Sequence, residues 1–197
     1  MGCLEARRLI AAVAAVSGVI AASASACASA SPPAAPAAPA ITACAGGSGL
    51  EAWIGVSRGA AAAGTTSYPL NFTNTGGSAC SLSGYPVVAA ISRTGSQLGS
   101  PAGRGLSTAA PRVVLAPGAT AHTTLIYYGG QVSAGAGCGP VSTASELRID
   151  LGAQNQPSYA AFGFPACSRA GHVYLTVTQP VRAGVGTPAR TDADRVS

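Results

Sequence analysis

The chain has 197 residues, of which 48% are hydrophobic and 9% charged, with 26 glycines, 14 prolines and a formal net charge of +5. Its 11 basic residues are all arginine, and nine of them lie singly at positions 58, 93, 104, 112, 148, 169, 182, 190 and 195. That scatter argues against a nucleic-acid binder, which clusters its cations on one face. The mild positive charge suits solubility and attraction to anionic wall polymers or lipid headgroups, while the arginine, alanine and glycine usage reads as GC-rich codon bias.

The first residues carry Arg7-Arg8, and an uncharged run follows from Leu9 to Ala26. The run is short and rich in Ala and Ser for a membrane span. A basic start, an apolar stretch and small residues at its end make residues 1–26 a secretory signal peptide; the alternative is one uncleaved anchor helix. Ala24-Ser25-Ala26-Cys27 resembles a bacterial lipobox, although Ala24 stands where that pattern has Leu. Five cysteines follow the apolar run, and an odd thiol in an oxidising compartment needs a fate. Lipidation of Cys27 leaves four, and so does cleavage after Ala30. Lipidation is the expectation, because it holds the chain at a membrane surface. Residues 27–43 then form a Pro/Ala-rich tether, extended and semi-rigid.

Residues 44–180 read as one domain, and 181–197, rich in Gly, Pro, Arg and Asp without apolar periodicity, as a disordered tail. Strand signals recur through the domain. Leu50–Val56 alternates with Leu50, Ile54 and Val56 on one face. Ser67–Thr73 places Tyr68, Leu70 and Phe72 inward and ends in the turn Asn74-Thr75-Gly76-Gly77. Cys80–Leu82, Pro86–Ser92 and Arg112–Leu115 follow, the last leading to the turn Ala116-Pro117-Gly118. Thr120–Tyr128, Glu146–Leu151, the short Tyr159–Phe162 and finally His172–Thr178 complete the set. With no helical period, about eight short antiparallel strands and Gly/Pro turns predict an all-β sandwich or barrel. One Trp and three Phe leave a core of Val, Leu, Ile, Ala and Tyr. Two disulfides would compensate at roughly 3–4 kcal/mol each. Four cysteines allow three connectivities, and pairing of sequence neighbours, Cys44–Cys80 and Cys138–Cys167, is expected.

Cys44, Tyr68-Pro69-Leu70-Asn71-Phe72-Thr73-Asn74, Cys80-Ser81-Leu82-Ser83-Gly84-Tyr85-Pro86, Gly95 with Leu98-Gly99, and Leu115-Ala116-Pro117-Gly118 occur in that order. Over residues 44–178 this resembles the actinobacterial secreted domain of unknown function numbered forty-two thirty-two. The resemblance implies an exported protein or lipoprotein, an immunoglobulin-like antiparallel β-sandwich and bridged cysteines. It implies no reaction and carries over no catalytic residue.

Chemistry is sparse in the residues themselves. A hydrolase needs a nucleophile, a base and an orienting acid, and the bases on offer, His122 and His172, read as partly exposed strand residues. No Gly-x-Ser-x-Gly elbow occurs. A copper site needs a thiolate and usually an axial Met, but the single Met is Met1. Glu146 and Asp150 share a strand face about 13 Å apart by strand rise, too far for one calcium ion. Asn71-Phe72-Thr73 fits a glycosylation sequon but lies within a strand. No catalytic, cofactor or metal residue is therefore assigned. Trp53, Tyr85, Tyr127, Tyr128 and Tyr159 are the candidates for a binding face, since exposed aromatics stack on sugars or anchor partners; core packing is the competing role. The expected function is a non-enzymatic envelope module whose partner is an envelope protein or wall polymer. The alternative is an accessory enzyme or ligand carrier. A pocket setting a histidine beside a carboxylate would favour chemistry, and a shallow aromatic face would favour binding.

Overall fold

Alternation decides which residues face inward, and in a computed structural model of the chain it does so on two packed sheets. The structure describes residues 40–56, 64–105, 109–135, 137–152 and 156–186; Cys27 and most of the tether lie outside them. Its strands are β1 (Leu50–Ile54), β2 (Thr65–Asn74), β3 (Cys80–Leu82), β4 (Val87–Ser92), β5 (Gln97–Leu98), β6 (Gly103–Arg104), β7 (Val113–Leu115), β8 (Thr120–Tyr128), β9 (Val141–Asp150), β10 (Ser158–Cys167), β11 (Leu175–Val177) and β12 (Arg182–Ala183). The first sheet runs β1-β2-β8-β11-β6, with β12 also paired to β8; the second runs β10-β9-β4-β5, and β3 pairs with β7 apart from both. β1, β2 and β8 occupy the A, B and E positions of an immunoglobulin fold, and β4, β5, β9 and β10 the C, C′, F and G positions. The strand order thus reproduces that architecture, with β11, from late in the chain, beside the E strand.

Leu70 and Phe72 of β2 and Ala121 and Leu125 of β8 face Val88, Ala90, Leu147, Ile149 and Ala160 of the second sheet within one buried cluster. Aromatic rings lock the layers at one end. Tyr68 meets Phe162 edge to face at 4.8 Å, and Tyr127 meets Phe164 at 5.1 Å. The bridges join Cys44 to Cys80 and Cys138 to Cys167, the expected pairs, each with Cα atoms 4.7 Å apart. Neither is the inter-sheet bridge of antibody domains: one fastens the chain before β1 to β3, the other fastens the β8–β9 connection to the end of β10.

Turn chemistry falls where the residues demand it. The Ala119 N–H donates to the Ala116 carbonyl at 2.9 Å, and Gly118 sits at φ +76° after Pro117, the geometry of a type II turn. Asn74 is buried; its amide donates to the carbonyls of Ser78 and Leu115, and its side-chain oxygen accepts the Gly76 N–H. One side chain thus shapes the turn after β2 and ties it to β7.

Several expectations need correction. Val56 is 81% exposed, because the last ladder bond of this edge runs from the Gly55 N–H to Pro69 and the chain then leaves the sheet. The short Tyr159–Phe162 strand is ten residues long; a bulge between Ala161 and Phe164 breaks its alternation and hides it from a period-two reading. The strand expected over His172–Thr178 is only Leu175–Val177, and it pairs parallel to β6, so the sheets are not purely antiparallel. The domain also extends past both expected boundaries. Ala43 bridges Ser81, whose N–H donates to the Thr42 carbonyl, so the end of the tether already lies on the domain. Val181, placed in the tail, is fully buried, and β12 pairs Arg182 with His122 and Ala183 with Ala121. Backbone pairing and one apolar residue hold this segment, neither of which produces a periodic pattern. Residues 187–197 lie outside those described.

Candidate functional site

Two shallow grooves carry polar side chains, one on each side of the sandwich. On the second sheet, Ala89, Arg148 and Tyr159 stand level across β4, β9 and β10, and Ile91, Glu146 and Ala161 form the next row. These positions alternate with the inward-facing Ala90, Leu147 and Ala160; on this outer side Arg148, Tyr159 and Ala161 are exposed, while Ala89 and Ile91 are covered by their neighbours. Ile91, Gly95, Gln97, Glu146, Arg148 and Tyr159 line a groove here. Tyr159 is 51% exposed. Arg148 pairs with Asp150 at 3.0 Å; two positions apart on a strand, they share this face. A phenol ring thus stands in a plane bearing a guanidinium, carboxylates and an amide.

The second groove lies between β7 and β12, lined by Pro111, Arg112, Val113, Val114, His122, Arg182 and Ala183. His122 is half-buried on β8, and its Nδ1 lies 2.8 Å from the Gly184 carbonyl oxygen. A carbonyl only accepts, so Nδ1 carries the proton of the neutral ring. The chain after β12 crosses the outer face of the first sheet at this point. The Gly184 N–H donates to Thr120, and the Gly186 N–H donates to the Oδ1 of Asn71 at 2.8 Å. Asn71 is fully buried beneath this crossing, which leaves no room for a glycan on it.

The five aromatic candidates do not form one face. Tyr159 is on the solvent side of the second sheet. Trp53 is on the outer side of the first, its Nε1–H donating to Thr73 at 3.1 Å. Tyr127 points between the sheets and donates its hydroxyl to the Pro165 carbonyl. Tyr128 alternates to the opposite side, and Tyr85 packs against the core before β4. Strand parity separates Tyr127 from Tyr128, and sheet membership separates Trp53 from Tyr159.

His172 lies before β11, outside any strand, with Nε2 3.3 Å from the Gln131 carbonyl. Among the described residues neither histidine contacts a carboxylate, and no group of three metal-ligating side chains gathers. The more perturbed ionisable group is structural. Tyr174 is buried and donates to the Leu98 carbonyl at 2.6 Å; burial first, and the nearby Tyr127 second, raise it well above the ordinary tyrosine range. Burial, with Tyr68 second, raises Tyr127 too. Above pH about 10 the unfolded chain releases protons that these folded phenols keep, so stability falls as pH rises. Denaturant midpoints measured at successive pH values from 8 to 11 should show that fall, and Tyr174→Phe should flatten it while lowering stability near neutrality. An unchanged slope in the variant would refute this account.

The fold and its bridges define a disulfide-fastened β-sandwich domain, of the kind that folds in an oxidising environment. Residues 44–184 match the family described as Domain of unknown function (DUF4232), and the chain belongs to that family. No curated protein and no solved structure matches the chain. The match ends at Gly184, within the segment that crosses Asn71, in agreement with a domain that continues through β12.

Proposed function

We propose that the chain is an exported cell-envelope module that binds an envelope protein or wall polymer without catalysing a reaction, held at the membrane surface by lipid on Cys27. The observation that carries the binding reading is the solvent face of the second sheet, where half-exposed Tyr159 stands level with Arg148 and one row from Glu146. An aromatic face flanked by charged and amide groups can stack on a sugar ring while its neighbours bond the hydroxyls. The two bridges support export. The absence of a histidine–carboxylate contact among the described residues supports binding over hydrolysis.

Co-sedimentation of the chain with isolated envelopes of the producing cells tests the binding. Tyr159→Ala should weaken it about tenfold, in line with a lost stacking anchor of ~1–2 kcal/mol; retention equal to wild type would reject this face. Fractionation tests the anchor. Lipid on Cys27 in the intact mass, and release of Cys27→Ser into the medium with its fold unchanged, are the expected results. An unmodified start at Ser31 would remove the anchor and leave the binding face to stand alone.

A further inference from the structure

We infer that the groove between β7 and β12 is a binding site for a phosphate ester, gripped by Arg112 and Arg182 with His122 between the sheets' outer edge and the β12 crossing. The site stands on its own residues and does not depend on the face around Tyr159, which lies on the other sheet. Three of the seven lining residues are basic and none is acidic, in a chain where charge is otherwise sparse. Two of the three are fixed side by side by the sheet itself, since Arg182 is the register partner of His122 across β12 and β8. Both arginines are exposed, whereas His122 is half-buried. The charged groups beside His122 are therefore Arg182 from β12 and Arg112 from the approach to β7, and both attract an anion.

Arg112 is held in place. Its guanidinium donates to the carbonyl of Ile41, where the chain comes onto the domain, and a guanidinium has five N–H donors in a rigid fork. A donor already oriented loses less freedom when it meets a ligand. Val113, Val114 and Ala183 line the same groove, and Val114 is 50% exposed, so apolar surface lies beside the cations. That combination favours an anion carrying a carbon skeleton. A planar carboxylate presents its oxygens to a fork in one plane, whereas a tetrahedral phosphate presents oxygens in several directions and so meets forks arriving from two different strands. The phosphate could belong to a soluble or wall-polymer glycerol phosphate or to a phosphoglycerolipid headgroup. In each the arginines meet anionic phosphate oxygens, three on a soluble monoester and two on a polymer or lipid diester.

The test uses the full chain with Cys27→Ser, so that lipid does not place it on vesicles. Glycerol 3-phosphate is titrated while the amide resonances of Arg112, His122 and Arg182 are followed. In parallel, flotation is measured with vesicles of phosphatidylglycerol and of phosphatidylcholine. Saturable shifts with glycerol 3-phosphate, weakened about tenfold in each of Arg112→Gln and Arg182→Gln but unchanged in Arg169→Gln, an exposed arginine outside both grooves, establish the site and a soluble or polymer phosphate as its ligand. Flotation with phosphatidylglycerol alone, with the same pattern across the variants and no response to glycerol 3-phosphate, establishes it with the lipid headgroup. No response to either probe overturns it. So does weakening that is equal in Arg169→Gln and the two groove variants, which would be general charge attraction. A thermal melt of each variant separates loss of binding from loss of fold, and both arginines are exposed enough for the variants to fold.

Discussion

Replacing Cys138 and Cys167 together by serine should lower the unfolding free energy by about 3–4 kcal/mol, the expected effect of releasing a loop of this size. The bridge spans 29 residues, and it fixes the β8–β9 connection to the last residue of β10. Urea denaturation of the unreduced protein and the variant measures the difference directly. The effect should be large because the core has little else to lean on: its largest fully buried side chains are one Tyr, one Phe and a set of Leu, Ile and Val. Thiol counting on the denatured, unreduced domain should find no reactive group among Cys44, Cys80, Cys138 and Cys167. A variant within about 1 kcal/mol of the parent, or two reactive thiols, would mean that the bridge contributes far less than its loop length implies.

Ending the chain after Pro180 should cost about 3–5 kcal/mol, although it removes a segment with no sequence pattern. Val181 is fully buried, and its N–H donates to the Gly84 carbonyl. Burial of such a side chain is worth roughly 1.5–3 kcal/mol. The truncation also strips β12 from β8 and removes Gly186 from the buried Asn71. Val181→Ala alone should reproduce part of the loss. Chemical denaturation of the two proteins gives the ratio; a truncated chain as stable as the parent would show that β12 is ornamental to the fold.

What the sequence reveals of this molecule follows from which forces leave a pattern. Thr120–Tyr128 is dense in Thr, Ile and Tyr, residues that favour a pleated surface, and its bounds are those of β8. β10 is hidden because its bulge shifts the pleat at Ala161, so residues on either side of it no longer share one parity. β12 is hidden for a different reason: two residues pairing by backbone bonds leave no signature beyond one apolar neighbour. The candidate site is harder still. The aromatics can be counted in the sequence, but only strand parity and sheet order place Tyr159 outside and Tyr127 within. The basic groove brings together positions 112, 122 and 182, which no spacing rule connects. Conversely, the Asn71-to-Asn74 stretch that makes the family recognisable is architectural: Asn71 holds the late segment and Asn74 holds a turn. The family signature therefore marks how the domain is built, and the side chains proposed to meet a ligand lie elsewhere.

The Cys44–Cys80 bridge has a mechanical meaning. Tension arriving along the tether reaches Cys44 before it reaches β1, and the sulfurs pass it straight to Cys80 at the start of β3. β1 and β2 lie inside the closed loop of sequence separation 36, so the load bypasses them. The first noncovalent elements to feel a pull are the bond from Arg112 to Ile41, then the pairing of Thr42 and Ala43 with Ser81, and then the three-residue β3–β7 ladder. A module tugged at its leading end would yield at this small appended ladder while the two main sheets, and the faces they display, kept their shape.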